Sequence, residues 1–449
     1  MTQAVVKQDT YRQDFDRLEA ETAGRVPAWL PPLRRAAFSR FAELGFPHRR
    51  MEEWRFTVVT PIAETPFRLA GTARQGVTLE SLAEFTFEGL TGSRLVFVNG
   101  HYAPELSEVG ALPQGMKVGS LASALREDGA ALETHLARYA NFENQAFTAL
   151  NTAFLADGAF VSIPRNAVME QPIHLLFVST ALDGPTVSHP RTLIVAGENS
   201  QATVIESYAG VGEGVTFTNA VTEIVAGENA VLDHYKVQRE RSEQAFHIAT
   251  MQVQLGRSSN VSSHSIALGG ALVRNEANAV LGGEGGECTL NGLYLANDRR
   301  LVDNHTAIDH AMPHCASHEL YKGILDDRAH GVFNGKIFVR QDAQKTDAKQ
   351  TNQTLLLSED AQINTKPQLE IFADDVKCTH GATVGQLDAD AIFYLRSRGI
   401  GLEAARSILT YAFASDIIHR IKVEPVKEQL GRALFANLPQ GRQAEEALT

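Results

Sequence analysis

Cysteine is scarce. Three residues in 449, Cys288, Cys315 and Cys378, are too few and too widely spaced for a disulfide framework. That usage points to a reducing cytoplasm. Positive charge is also in deficit. Lys and Arg number 41 against 53 Asp and Glu, a net charge of −12, whereas a nucleic-acid binder normally shows a basic face. No stretch approaches the roughly 18–20 apolar residues that cross a bilayer. The opening MTQAVVKQDTYRQDFDRLEAE holds no apolar run that could serve as a signal peptide. The expectation is therefore a cytoplasmic protein with no nucleic-acid or membrane partner. Nucleotide chemistry is excluded in the same way. The glycine-rich LGGEGGE at 281–287 has no Lys-Ser/Thr and opens no helix, so it is not a phosphate loop. Gly-x-Ser-x-Gly does not occur either.

What is present divides the chain into three. Residues 1–155 mix helices with a few short strands. In VPAWLPPLRRAAFSRFAELGF, Leu33, Ala36, Phe38, Phe41 and Leu44 recur at helical spacing. Asn99-Gly100, between apolar runs, predicts a tight hairpin turn. From 156 to 386 helical periodicity stops. Short alternating runs take over, separated by Gly, Asn and Asp, with a beat of about a dozen residues per strand and turn. Ala196-Gly197-Glu198-Asn199 recurs as Ala226-Gly227-Glu228-Asn229, each copy between two strand-like runs. So long a stretch without clear hairpin turns favours a β-solenoid over a sandwich, its inward positions filled by Val, Ile, Leu and Phe. Residues 387–449 return to helix. Asp388 caps ADAIFYLRSR and Gly399 ends it. In LEAARSILTYAFASDIIHRI, Ile408, Leu409, Ala412, Phe413, Ile417 and Ile421 form one apolar stripe. So short a helical end cannot bury that stripe against itself, so a partner or the solenoid must cover the rest. The closing QGRQAEEALT is polar and expected to fray.

Three places could carry chemistry. DNHTAIDHAMPHCASHEL gathers His305, Asp309, His310, His314, Cys315 and His318, enough donors for a zinc site but in no zinc-motif spacing. Read as one extended strand, it puts His310, His314 and His318 on one face and His305 and Asp309 on the other. Solvated or hydrogen-bonded polar residues are the more economical reading. Asp326-Asp327 suggests a polysaccharide-cleaving pair, but adjacent strand residues point to opposite faces. In DDVKCTHGAT, Cys378 and His380 stand two apart and share a face if extended. From the residues alone, a buried small thiol and a satisfied core histidine outweigh a metal or sulfur site there.

The run NTKPQLEIFADDVKCTHGATVGQLDADAIFYLRSRGI (364–400) resembles the SufB/SufD family of the SUF iron–sulfur cluster assembly system. GVFNGKIFVRQDAQKTDAKQTNQTLLLSEDAQI before it and LTYAFASDII after it extend the likeness. So does GFPHRRMEEWRFT near the N-terminus. KCTHGATVG followed by FYLRSRGI is similar to the SufD branch; a SufB chain would place a cysteine where Leu395 follows Tyr394. The resemblance implies a mainly β fold, a right-handed parallel β-helix between N-terminal helical (α/β) and C-terminal helical regions. It implies a non-catalytic scaffold, paired with a SufB-type paralogue. A SufC-type ABC ATPase would dock on the C-terminal helices, and a homodimer is an alternative for the isolated subunit. The cofactor implied is a transient iron–sulfur cluster shared with the paralogue at their interface, with no nucleotide on this chain. His380 is then the metal-ligand candidate, and Cys378, beside it at the cluster site, has a mainly structural part. Two other classes remain: a SufB-type scaffold working alone, which would need more cysteine, and a metal-dependent enzyme built on 305–318.

Overall fold

The computed structural model describes residues 2–74, 76–181, 184–240 and 243–438; the closing QGRQAEEALT lies outside them. Two sheets, one of eleven strands and one of ten, run the length of the molecule. From Arg191 onward the chain alternates between them, each strand pairing in parallel with the strand two places on. This is a parallel β-solenoid, as the alternating runs predict.

The corners explain the repeated Ala-Gly-Glu-Asn. Asn199 (φ 56°) and Asn229 (φ 55°) hold left-handed backbone at equivalent turns, a conformation Asn adopts at low cost. Their amides form a ladder: Asn229 Nδ2 donates to Asn199 Oδ1 and Asn199 Nδ2 to Asn166 Oδ1, each at 3.0 Å. LGGEGGE is another such corner. A Cβ on Gly283 would lie 2.1 Å from the Arg257 backbone nitrogen, so its glycines serve close approach between coils.

The interior departs from the expected Val, Ile, Leu and Phe filling. Val204, Leu232, Val261 and Leu290 are there, but so are His234, Ser263, Glu319 and Gln350, all buried. Parallel register stacks identical positions from coil to coil. A polar side chain on the inner face can therefore meet its hydrogen-bond partner directly above or below.

The two ends differ. At the N-terminal end the predicted Asn99-Gly100 hairpin forms, with Ser93–Val98 joining the ten-stranded sheet through Ile173–Ser179. Lys117–Ser120 closes the other sheet antiparallel to Gly158–Ile163. Helices Leu30–Leu44 and Ala146–Ala153 pack over this end. In the first of these Phe38 and Phe41 are buried but Ala36 faces solvent, its place on the inner side being taken by Arg34, which donates to the Leu155 carbonyl. At the far end the last strands, Gln362–Ile371 and Lys377–Gly385, have a sheet partner on one side only. Phe372 and Val384 there are 58% and 48% exposed.

Three C-terminal helices follow, Ala389–Ser397, Leu402–Ile418 and Glu424–Ala436; the last is missing from the sequence reading. The apolar stripe is covered chiefly by the solenoid. Ile417, Ile418 and Ile421, with Val426, Leu430 and Leu434, pack on outward-facing Ile205, Val237, Ile266, Leu293 and Ile324. Leu409 and Phe413 are half-buried, while Ala412 is exposed.

Candidate functional site at the open end

His380 and Cys378 sit on the final strand, Lys377–Gly385. Register pairs Cys378 with Ala348 and His380 with Gln350, both buried. The two residues therefore continue inward-facing columns of the solenoid and share a face. Their environments differ because the coil that would cover them does not exist. Cys378 is half-buried, packed with Ala348, Ala373 and Val376, and burial raises its thiol pKa. His380 is exposed. It is not a core histidine.

The column under His380 reads Val204, His234, Ser263, Leu290, Glu319, Gln350, His380 across successive coils. Its polar members bond along the column: His234 Nδ1 to Ser263 Oγ at 2.9 Å, and Gln350 Nε2 donating to Glu319 Oε2 at 2.5 Å. Burial pushes the Glu319 carboxyl up to about 7, against the lowering effect of that amide donor. The sequence reading passes over Glu319. Its signal is the alternation Ser317, Glu319, Tyr321, which places a carboxyl among inward residues.

The 305–318 segment is not one strand. Leu301–His310 lies in one sheet and Ala316–Leu325 in the other, with a corner between them at which His314 has φ 58°. The donors scatter accordingly. His310 points inward to Ser317 Oγ at 2.9 Å, and burial lowers its pKa to about 4. His314 and His318 are exposed on the corner and the opposite sheet. Cys315 is buried, its thiol donating to the Gly283 carbonyl. Asp309 takes a two-point ion pair from Arg340, at 3.0 and 2.6 Å. Among the described residues no group of three His, Cys, Asp or Glu could hold a metal ion. Asp326 and Asp327 also belong to a corner, where Asp327 (φ 51°) caps its neighbours by accepting from Asp298 N. Cys288 is fully buried, its thiol held well above the usual range by burial.

His305 has a different task. It faces outward, where Nε2 lies 3.0 Å from Asp303 and Nδ1 3.3 Å from Glu53 of the N-terminal segment. Burial alone would lower its pKa, but Asp303 overrides this and the pKa is raised. Beside it the buried Arg274 pairs with Asp303 at 2.5 Å and with Glu276 at 2.7 Å. Its guanidinium stacks 3.8 Å from the Trp54 ring. Glu52-Glu53-Trp54 is therefore a clasp holding the N-terminal region to the solenoid, over a cleft of ≈ 320 Å³.

Similarity to known proteins agrees with this architecture. Residues 177–413 match the profile described as "SUF system FeS cluster assembly, SufBD core domain", and residues 6–175 match the SufBD protein N-terminal region. An iron–sulfur cluster assembly SufBD family protein of Synechocystis is 37% identical over 420 residues, covering 92% of both chains. The iron–sulfur cluster assembly protein SufD of Escherichia coli is 33% identical over 399 residues, covering 88% of this chain and 90% of that protein. SufD of Bacillus subtilis is 27% identical over 414 residues, covering 90% and 93%. No helix among the described residues is long and apolar enough to cross a membrane. The chain belongs to the SufBD family of the SUF iron–sulfur cluster assembly system.

Proposed function

We propose that the chain is a SufD-type scaffold subunit, itself non-catalytic and cytoplasmic, working in a SufB–SufC–SufD complex. In this reading a nascent iron–sulfur cluster forms between the open end of this solenoid and a SufB-type paralogue, with His380 as a ligand. Residues 1–155, 156–386 and 387–449 act as N-terminal region, solenoid core and ATPase-docking region. The cluster is cargo, passed on to apo-proteins.

The observation that carries the reading is the placement of His380, an exposed imidazole on an inward column of the last strand, whose outer edge is unpaired. An unpaired strand edge is a template for another chain, and Ile371, Phe372 and Val384 give that edge an apolar surround. A neutral imidazole ligates iron well. Cys378 is half-buried with its thiol pKa raised, which disfavours the thiolate that metals require; its part is packing beside the ligand. Motion of an ATPase bound to the C-terminal helices would reach this end through the helix Ala389–Ser397, which leaves the last strand directly.

The test is His380→Ala in the complex co-expressed with the paralogue and the ATPase. The variant should keep its melting temperature and both partners but lose cluster formation, followed by visible absorption and iron content. Cys378→Ala should be milder. Normal assembly by the histidine variant, or its unfolding, refutes the ligand role.

A further inference from the structure

The histidine column holds more than its last residue. Two polar pairs along it bond from one coil to the next, His234 to Ser263 and Gln350 to Glu319. The next pair in register is Gln350 and His380. Gln350 is 1% exposed and Glu319 3%, and Gln350 Oε1 has no hydrogen-bond partner. Glu319 takes its Nε2–H, and across the interior Gly335 leaves it room, since a Cβ there would lie 2.3 Å from Nε2. With the nitrogen committed to Glu319, the side of the amide left over is an acceptor, and the residue in register beyond it carries a ring N–H.

We propose that Glu319 and Gln350 are positioning residues for His380. Gln350 Oε1 accepts the N–H of one ring nitrogen, so that the other nitrogen presents its lone pair to the incoming metal. Glu319 fixes which end of the amide faces the imidazole. The inference rests on the reading of His380 as a ligand. A metal-bound histidine commonly donates its second ring N–H to an acceptor, which fixes tautomer and orientation, and losing that partner costs ~10–100-fold in metal affinity. In the isolated chain the last coil is open to water, which competes for the ring. A paralogue covering the end excludes that water and lets the bond form.

The experiment uses the complex with the paralogue, with Co2+ as the metal probe and the His380 ring tautomer read by nitrogen NMR on 15N-histidine protein. Gln350→Leu should weaken Co2+ binding by ~10-fold or more and turn a single tautomer into a mixture. The exchanged pair Glu319→Gln with Gln350→Glu reverses donor and acceptor between the two coils but still leaves an acceptor in register with His380. It should restore both readouts, which a purely structural loss would not allow. His380→Ala separates the two ideas. If it leaves Co2+ affinity unchanged, the ligand reading itself is wrong. If it abolishes binding while folded Gln350→Leu binds Co2+ as the wild type does, with one tautomer, only the positioning column is overturned. Should Gln350→Leu fail to fold, failure of the exchanged pair to keep wild-type affinity and tautomer overturns it equally.

Discussion

Glu319 is a carboxyl inside the solenoid whose hydrogen-bonded neighbour is a neutral amide. Such a group is costly when ionised, and burial accordingly holds its pKa up to about 7. A carboxyl that binds its proton more tightly folded than unfolded adds stability that is complete below the unfolded value. That stability is lost as pH rises through about 7. Glu319→Gln keeps the shape and the acceptor but cannot ionise. The variant should unfold at higher denaturant than the wild type at pH 8, by about 1–3 kcal/mol, and the gap should shrink towards pH 5. Equal stability of the two at both pH values would show that Glu319 carries no such penalty. A residue that lowers stability at neutral pH and sits two coils from the candidate ligand fits a chain that trades stability for a site. The alternation around Ser317 and Tyr321 already shows Glu319 pointing inward. What the sequence hides is its neighbour, because Gln350 is brought to it only by coil-to-coil register.

At the scale of strands and corners, the regular beat is legible because parallel coils repeat the same demands. Each needs apolar positions at every second residue and a left-handed Asn, Asp or Gly at the turn. The corner within DHAMPHCASH is not legible for the same reason that it works. The left-handed position is taken by His314 (φ 58°), a residue that does not announce a turn, and an apparent metal cluster dissolves once the chain bends there. Cys378 and His380 escape this because no corner separates them. Close packing between corners gives a direct test. A methyl on Gly283 would meet backbone, at 2.1 Å from Arg257 N, whereas one on Gly381 in the open coil meets nothing within 4 Å. Gly283→Ala should cost ~1–3 kcal/mol, the usual penalty of forced overpacking, while Gly381→Ala should leave the melting temperature of the isolated chain unchanged. Similar losses at the two sites would mean that the last coil is as enclosed as the others.

The whole molecule is a rod with one end finished and the other bare, and its C-terminal helices treat the two faces of the problem separately. Leu402–Ile418 and Glu424–Ala436 cover the outer side of the ten-stranded sheet, so removing residues 388–438 would strip Ile205, Val237, Ile266, Leu293 and Ile324 of their cover. A deletion of the C-terminal region therefore tests folding as much as docking. The helix Ala389–Ser397 is different. It buries none of its residues, and Phe393 and Tyr394 are 74% and 56% exposed, with the Arg398 guanidinium 4.7 Å from the Tyr394 ring. Large aromatic side chains beside an arginine are what interfaces use as anchors, and losing one typically costs ~2 kcal/mol or more of binding. Under the proposed function the occupant is the SufC-type ATPase. Phe393→Ser should then weaken capture of the ATPase by at least ~10-fold, as ~2 kcal/mol converts to somewhat more than a decade, with the melting temperature of the isolated chain unchanged. Ile417→Ser, beneath the same helical region but against the sheet, should instead lower that melting temperature. If Phe393→Ser captures the ATPase as the wild type does, the exposed helix is not its docking face, and the bare aromatic pair belongs to the paralogue at the open end.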